Sequence, residues 1–249
     1  MFQSPLARDE QLPDAKMRRP YMNKGPQITP RLETLLQITG QQGAIRFDHI
    51  QCWLGLLSPE PARMKQPTIL SAERARKILH PWFEQEVLLY RVFYARQRGW
   101  LWLTPKGIKY ANLSLRYYEP SPASLAHLHA VNAIRLLLAH RRPADRWRAE
   151  RELRAAQQHT DERKRHLPDA ELLTEKGPIN AIEVELTVKS DKRLQEILVD
   201  LASNRRYSTI WYFAPDAVAQ AVRRAIATLP AERRAHFRLY DLEGKEYAQ

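Results

Sequence analysis

One cysteine, Cys52, stands in a chain of 249 residues. That excludes an internal disulfide and any multi-cysteine zinc module, and leaves the thiol the role of a small buried hydrophobe. Long apolar runs are missing too. Nowhere do eighteen such residues follow one another, so no membrane span is expected. The opening residues, MFQSPLARDEQLPDAKMRRPYMNKGP, have no apolar core ahead of a cleavage site, so no secretory signal is expected and the protein is placed in the cytoplasm, with the nucleoid. Acids are scarce: 28 against 40 lysines and arginines, a net charge of +12. The deficit is uneven, because residues 1–116 hold 18 basic against 9 acidic groups and residues 117–249 hold 22 against 19. A positive field concentrated in one half attracts polyanions. Nucleic acid is the expected partner, with an anionic membrane surface or plain solubility as alternatives.

Residues 1–27 mix prolines and charges without periodicity and read as a flexible basic arm. Periodicity begins at TPRLETLLQITG: Thr29 caps, Pro30 suits a first helical position, Leu32, Leu35 and Leu36 share a face, and Gly40 is the expected stop. A second short helix fits FDHIQCWLG. Beyond a proline-bearing loop, Ser71 caps AERARKILHPWFEQE, where Ala75, Ile78, Leu79 and Trp82 form the apolar stripe and Arg74 and Lys77 lie opposite. Pro81 is expected to bend or end that helix.

Two aromatic and β-branched runs, VLLYRVFY and WLWLT, flank the tip ARQRG and read as a hairpin, after which Thr104 and Pro105 open a closing helix. Three helices followed by a hairpin is the order of a winged helix-turn-helix over residues 28–116. In that architecture the third helix enters the major groove of double-stranded DNA and the hairpin tip touches the backbone. Arg74, Lys77, Arg96 and Arg98 are then the DNA-binding residues. The alternative keeps the fold and makes these four an ordinary solvated face.

Residues 117–124, YYEPSPAS, read as a linker, and 125–249 as a second domain. Its first helix, LAHLHAVNAIRLLLAH, is striped by Leu125, Leu128, Ile134, Leu137 and Leu138, which fits pairing with a twin in a homodimer or an internal core equally well. DRWRAERELRAAQ is ambiguous: its composition favours a helix and its alternation a strand. Strands follow at DAELL, AIEVELT and TIWYFA, helices at SDKRLQEILVDLASN and DAVAQAVRRAIATL, and FRLYDLE suits an edge strand. With the ambiguous segment as a strand, the order is helix, three strands, helix, strand.

In AIEVELT, Glu183 and Glu185 share one face of the strand while Ile182, Val184 and Leu186 share the other. Crowded carboxylates repel and lose hydration unless a cation neutralises them, and Asp169 at the head of the neighbouring strand adds a third. Oxygen ligands of this kind suit Mg2+ or Mn2+. The plainer alternative is a solvent-facing edge strand with glutamates, Lys189 opening an exposed helix and His166 sitting in a loop.

Proline-aspartate on one strand, then Glu-X-Glu on the next in this order of elements, resembles the PD-(D/E)XK nuclease superfamily. HLHAVNAIRLLL, WRAERELR, HLPDAELL and AIEVELTVKSDKRLQEIL behind a winged helix resemble, more narrowly, the replication-relaxation family of bacterial plasmids and mobile elements. The resemblance covers roughly residues 28–215. It implies an α+β protein, the winged helix followed by an α/β nuclease-like domain with a mixed central sheet. It further implies Mg2+ or Mn2+ on Asp169 and Glu183, cleavage of a DNA phosphodiester, and relaxosome or other mobile-element proteins as partners. Glu185 stands where the superfamily has its lysine. Lys189 then takes over the charge at the phosphate, with Glu185 assisting the water and adding a metal ligand. The superfamily's acid on the first helix has no counterpart, since His127 and His129 occupy that helix; Glu150 and Glu152 reach the site only if their segment borders it.

Overall fold

The computed structural model describes residues 29–58, 69–157 and 166–247; the expected basic arm and the proline-bearing loop fall outside them. The protein is α+β, with two sheets. Helix α1 (Pro30–Gln42) starts where Thr29 Oγ1 accepts from the Leu32 amide, but it does not stop at Gly40. Gly40 is buried inside the helix, where an added Cβ would stand 2.3 Å from Leu113 Cδ1, so its smallness serves close packing. The stop falls at Gly43, whose φ of 85° only glycine adopts freely.

Strand β1 (Ala44–Arg46) follows, and then α2 (Phe47–Leu56) and α3 (Ala72–Glu84). Ser71 Oγ accepts from the Arg74 amide at the start of α3, and Pro81 is carried within the helix, which ends three residues later. The hairpin pairs β2 (Leu88–Arg91) with β3 (Trp100–Leu103), and β1 joins the far side of β3, so the expected two strands are a three-stranded antiparallel sheet. Ile45, Leu88, Leu101 and Leu103 face the helices and share their core with Leu35, Leu79 and Trp82.

Helix α4 (Pro105–Tyr110) begins at Thr104, whose Oγ1 accepts from the Gly107 amide at 2.9 Å. At Gly107 a Cβ would meet the Val87 carbonyl oxygen at 2.1 Å, and backbone cannot give way as a side chain can. Gly107→Ala is therefore expected to destabilise the protein by about 2 kcal/mol, read from the urea midpoint; an unchanged midpoint would show that α4 shifts freely.

Helix α5 (Leu125–Arg141) lies between the two sheets. Ala130, Val131, Ile134 and Leu138 cover one face of the larger sheet, while Leu125 and Leu128 meet Trp100 and Trp102 on the outer face of the smaller one. The leucine stripe is thus taken up internally. Two polar residues of α5 are also buried. Asn132 Nδ2 donates to the Ala44 carbonyl at 3.0 Å, and Arg135 donates to Gln41 and Gln42 on α1 with its guanidinium 5.8 Å from the rings of both Trp53 and Trp147. A buried cation so held joins the front and back halves through one side chain.

The ambiguous segment divides: β4 (Arg146–Ala149) is strand and α6 (Glu150–Gln157) is helix, with Glu152 accepting from the Ala149 amide at the junction. After β5 (Ala170–Leu173), β6 (Ile179–Val184), α7 (Asp191–Ser203), β7 (Tyr207–Phe213), α8 (Asp216–Ala227), α9 (Ala231–Arg234) and β8 (Phe237–Tyr240), the larger sheet has the order β4-β5-β6-β7-β8. It is mixed: β4, β5 and β6 are antiparallel, while β7 and β8 run parallel to β6 across helical connections. Its second face, with Ala181, Ile210 and Tyr212, packs on α7 and α8.

Candidate functional site

Strand β6 is central, not an edge, so its glutamates cannot simply face water. Glu183 is 7% and Glu185 8% exposed. The β5–β6 register pairs Ala170 with Ile182, and carried one residue further it sets Asp169 across from Glu183 on the same face. Glu185 lies just beyond the end of β6, its amide still donating to the Phe213 carbonyl of β7 at 2.9 Å. The structure therefore brings Asp169, Glu183 and Glu185 to one end of the sheet.

Each of the three has a basic side chain of the protein beside it. His127 Nε2, from the first turn of α5, lies 2.7 Å from Asp169 Oδ1, and Asp169 Oδ2 accepts from the Val184 amide at 2.8 Å. His166 Nε2 lies 2.9 Å from Glu183 Oε1. The Lys189 ammonium pairs with Glu185; it precedes Ser190, the cap of α7, so it sits before that helix and not within it. His166 is a loop residue as expected, yet it is a direct partner of the site. His127, from α5, is likewise a direct partner of the site.

The electrostatics follow from burial. Burial drives the Glu183 carboxyl up to about 7, against the pull of the His166 hydrogen bond, with the Asp169 charge adding to the rise. The hydrogen bond to Asp169 lifts the His127 imidazole above its ordinary value despite burial. Burial draws His166 down, but the hydrogen bond and charge of Glu183 outweigh it and leave the imidazole raised. Burial lowers the Lys189 ammonium. Glu183 and the two imidazoles therefore hold protons more readily than the same groups do in water.

The divalent-ion expectation depends on this pairing. Both Asp169 oxygens are engaged, one Glu183 oxygen faces an imidazole, and Glu185 holds an ammonium. Among the described residues, no group of three or more His, Cys, Asp or Glu side chains stands where it could hold a metal ion. As arranged here the residues do not fit Mg2+ or Mn2+, which need several free oxygens pointing at one centre.

Glu171, two residues beyond Asp169, was not singled out by the sequence, although strand alternation puts it on the same face. It is 1% exposed and accepts from Arg148 at 3.4 Å, Arg206 at 3.2 Å and the Tyr207 hydroxyl at 3.2 Å. Beside the cluster, a cleft of 1010 Å³ opens between α6 and α7, with Arg154, Lys192 and Arg193 interspersed among Glu150, Glu196 and Asp200. Glu150 thus borders the site, whereas Glu152 caps α6 and meets Gln41. His129 is elsewhere, stacked on His49 of α2 with ring centroids 4.4 Å apart.

In the front half, Arg74 and Lys77 are exposed on α3, opposite buried Ala75, Leu79 and Trp82. Lys77 is shared with Glu73 at 2.9 Å, and Arg98 reaches back to Gln51 at 3.4 Å. Arg96 sits at the hairpin tip with φ of 62°. Arg76, which also stacks on Phe47, and Arg91, which stacks on Phe93, add exposed charge that the sequence did not assign. Cys52 is only half-buried, and its thiol is pushed up by that burial. No helix among the described residues is long and apolar enough to cross a membrane. Compared with known proteins, the chain matches no family model, no curated protein and no solved structure.

Proposed function

We propose that this chain binds double-stranded DNA through its front half, read as a winged helix, and that its back half is a nuclease-type fold used to hold DNA or a partner without metal-dependent cleavage. One observation carries the DNA reading: α3 and the hairpin tip expose Arg74, Arg76, Lys77, Arg96 and Arg98 in the half that holds most of the net positive charge. Charge of that kind neutralises phosphates and releases counterions. The order α5, β4, α6, β5, β6, α7, β7, in which three antiparallel strands, the first two with α6 between them, are followed by a parallel strand, supports the nuclease-type reading. The pairing of each carboxylate with an imidazole or ammonium supports a non-catalytic one. By the family resemblance, the setting would be replication, relaxation or transfer of a plasmid or mobile element, with relaxosome proteins as partners.

A second reading is a Mg2+- or Mn2+-dependent endonuclease. Favouring it is the placement of Asp169 across from Glu183 at the sheet end beside Lys189. Anisotropy with a labelled duplex over a salt series tests the first reading. Affinity is expected to fall steeply with salt, and Arg74→Ala with Lys77→Ala to shallow the slope by about 2. Salt-independent or undetectable binding overturns it. Incubation of supercoiled plasmid with Mn2+ is expected to leave it intact; nicking abolished in Asp169→Asn would establish the second reading instead.

A further inference from the structure

Among the described residues, five of the eight large apolar side chains that stay exposed, Leu89, Tyr90, Val92, Tyr94 and Tyr117, belong to the hairpin or to the segment that leads from α4 to α5. The same stretch has no acid. From Val87 to Tyr118 the chain carries Arg91, Arg96, Arg98, Lys106, Lys109 and Arg116 and neither aspartate nor glutamate. None of the four arginines pairs with a carboxylate among the described residues: Arg91 lies over the Phe93 ring at 5.1 Å, and Arg98 reaches only the neutral Gln51 amide.

Strand alternation sorts these side chains between two faces. Leu88 and Tyr90 point toward the helices, where the Tyr90 ring meets Phe47 and Phe83 edge-on at 6.4 and 6.5 Å. Leu89 and Arg91 point to the outer face, across from Trp102 and Trp100 of β3. There the Phe93 ring lies 6.2 Å from that of Trp102, and Trp102 Nε1 donates to the Tyr117 hydroxyl at 3.3 Å. Tyr94 stands at the rim, its hydroxyl donating to the Pro122 carbonyl at 3.4 Å. Helix α5 covers part of this face with Leu125 and Leu128 and leaves Leu89, Arg91, Tyr94 and Tyr117 exposed.

We infer that the outer face of the hairpin binds single-stranded nucleic acid, its bases stacked on Tyr94 and Tyr117 and its phosphates drawn by the acid-free stretch around Arg91. Exposed rings beside unpaired guanidinium groups suit both parts of such a strand, the base faces and the backbone. A duplex turns its base faces inward and leaves the rings idle. Strand addition by a protein is poorly served, because the ladder stops at Arg91 opposite Trp100 and β2 offers an open edge of only four residues. The face lies across the sheet from α3, so the inference goes beyond the duplex reading and does not depend on it.

The test uses the full chain with a fluorescein-labelled thymidine oligomer and the matching uridine oligomer, neither of which folds on itself, followed by anisotropy. Saturable binding of at least one is expected, and the tighter of the two tells DNA from RNA. Tyr94→Leu with Tyr117→Leu keeps an apolar surface and removes the stacking rings; it should weaken binding about tenfold, while Tyr94→Phe with Tyr117→Phe should stay within about twofold of the parent. Arg91→Gln should shallow the salt dependence by about 0.7. Because Tyr117 accepts from Trp102, Tyr94→Leu alone serves as a second variant, expected to weaken binding about threefold while thermal unfolding matches the parent. The inference is overturned if neither oligomer binds, if the leucine variants bind as the parent does, or if they lose a labelled duplex as much as the oligomers. It is also overturned if the parent self-associates in sedimentation and Leu89→Arg disperses it, since a second copy would then cover this face. Oligomer binding without duplex binding would sink the duplex reading and leave this inference standing; duplex binding alone would do the reverse.

Discussion

Arg135→Ala is expected to lower stability by about 4 kcal/mol, from a cavity between two tryptophans and from acceptors left without donors. Arg135 is fully buried, and burial lowers its guanidinium to about 9, with the charge of Glu152 opposing. It donates to Gln41 Oε1 at 2.5 Å and Gln42 Oε1 at 3.1 Å, on the far side of the boundary between the halves. Gln42 Oε1 also accepts from Trp147 Nε1 at 3.1 Å, so α1, α5 and β4 meet at one amide. Arg135→Met retains most of the volume and removes the buried charge. It should recover about half of the loss, because a buried cation is itself unfavourable when its partners are neutral. Beyond the midpoint shift, the alanine variant is expected to separate one unfolding transition into two, since α1 and α5 lose their polar tie. A loss under about 1 kcal/mol with a single transition would show that the apolar contacts of Ala44, Trp100, Trp102 and Leu125 suffice to hold the halves together.

The legible parts of this fold were those set by local chemistry. Thr29, Ser71 and Thr104 each accept a hydrogen bond from the first turn they precede, and a hydroxyl before an amphipathic run is readable without a structure. Strand β1 was not legible: three residues cannot display an alternation, and their pairing partner lies more than fifty positions away on β3. Gly40 looked like a stop because glycine ends helices. Its actual reason, contact with Leu103 and Leu113, is tertiary. The carboxylates divide in the same way. That Glu183 and Glu185 share a face follows from strand periodicity. That they are buried follows from β5 and β7 on either side and α7 above, which no local pattern encodes. The partners of Asp169 and Glu183 are His127 and His166, 42 and 17 positions away, and no local pattern pairs an imidazole with an acid over such a separation.

Acid is expected to remove about 3 kcal/mol of stability between pH 6.5 and pH 4 through a different pair of histidines. His49 and His129 stack at 4.4 Å with planes 12° apart, where α2 meets α5, and the Nδ1 atoms of both are buried without a hydrogen-bond partner. Burial pushes His49 down to about 4, with His129 and Arg46 lowering it further and Asp48 opposing; burial also lowers His129, again with Arg46 adding and Asp48 opposing. A group whose folded value is depressed favours the folded state while neutral. Its contribution is complete above the unfolded value near 6.5 and falls away as pH drops toward 4, and a difference of that size corresponds to about 3 kcal/mol. His127 has the opposite sign: its raised value means that its bond to Asp169 is strongest in acid and weakens as pH rises through that value. The two clusters therefore oppose each other across the same range. Urea unfolding of the parent and of His49→Phe at a series of pH values separates them. Phenylalanine keeps a ring against His129 and cannot be protonated, so the difference between the two proteins should shrink steadily below pH 6.5 as the parent weakens. Parallel curves over the whole range would mean that His49 is solvated in solution and that the junction of α2 and α5 does not sense acid.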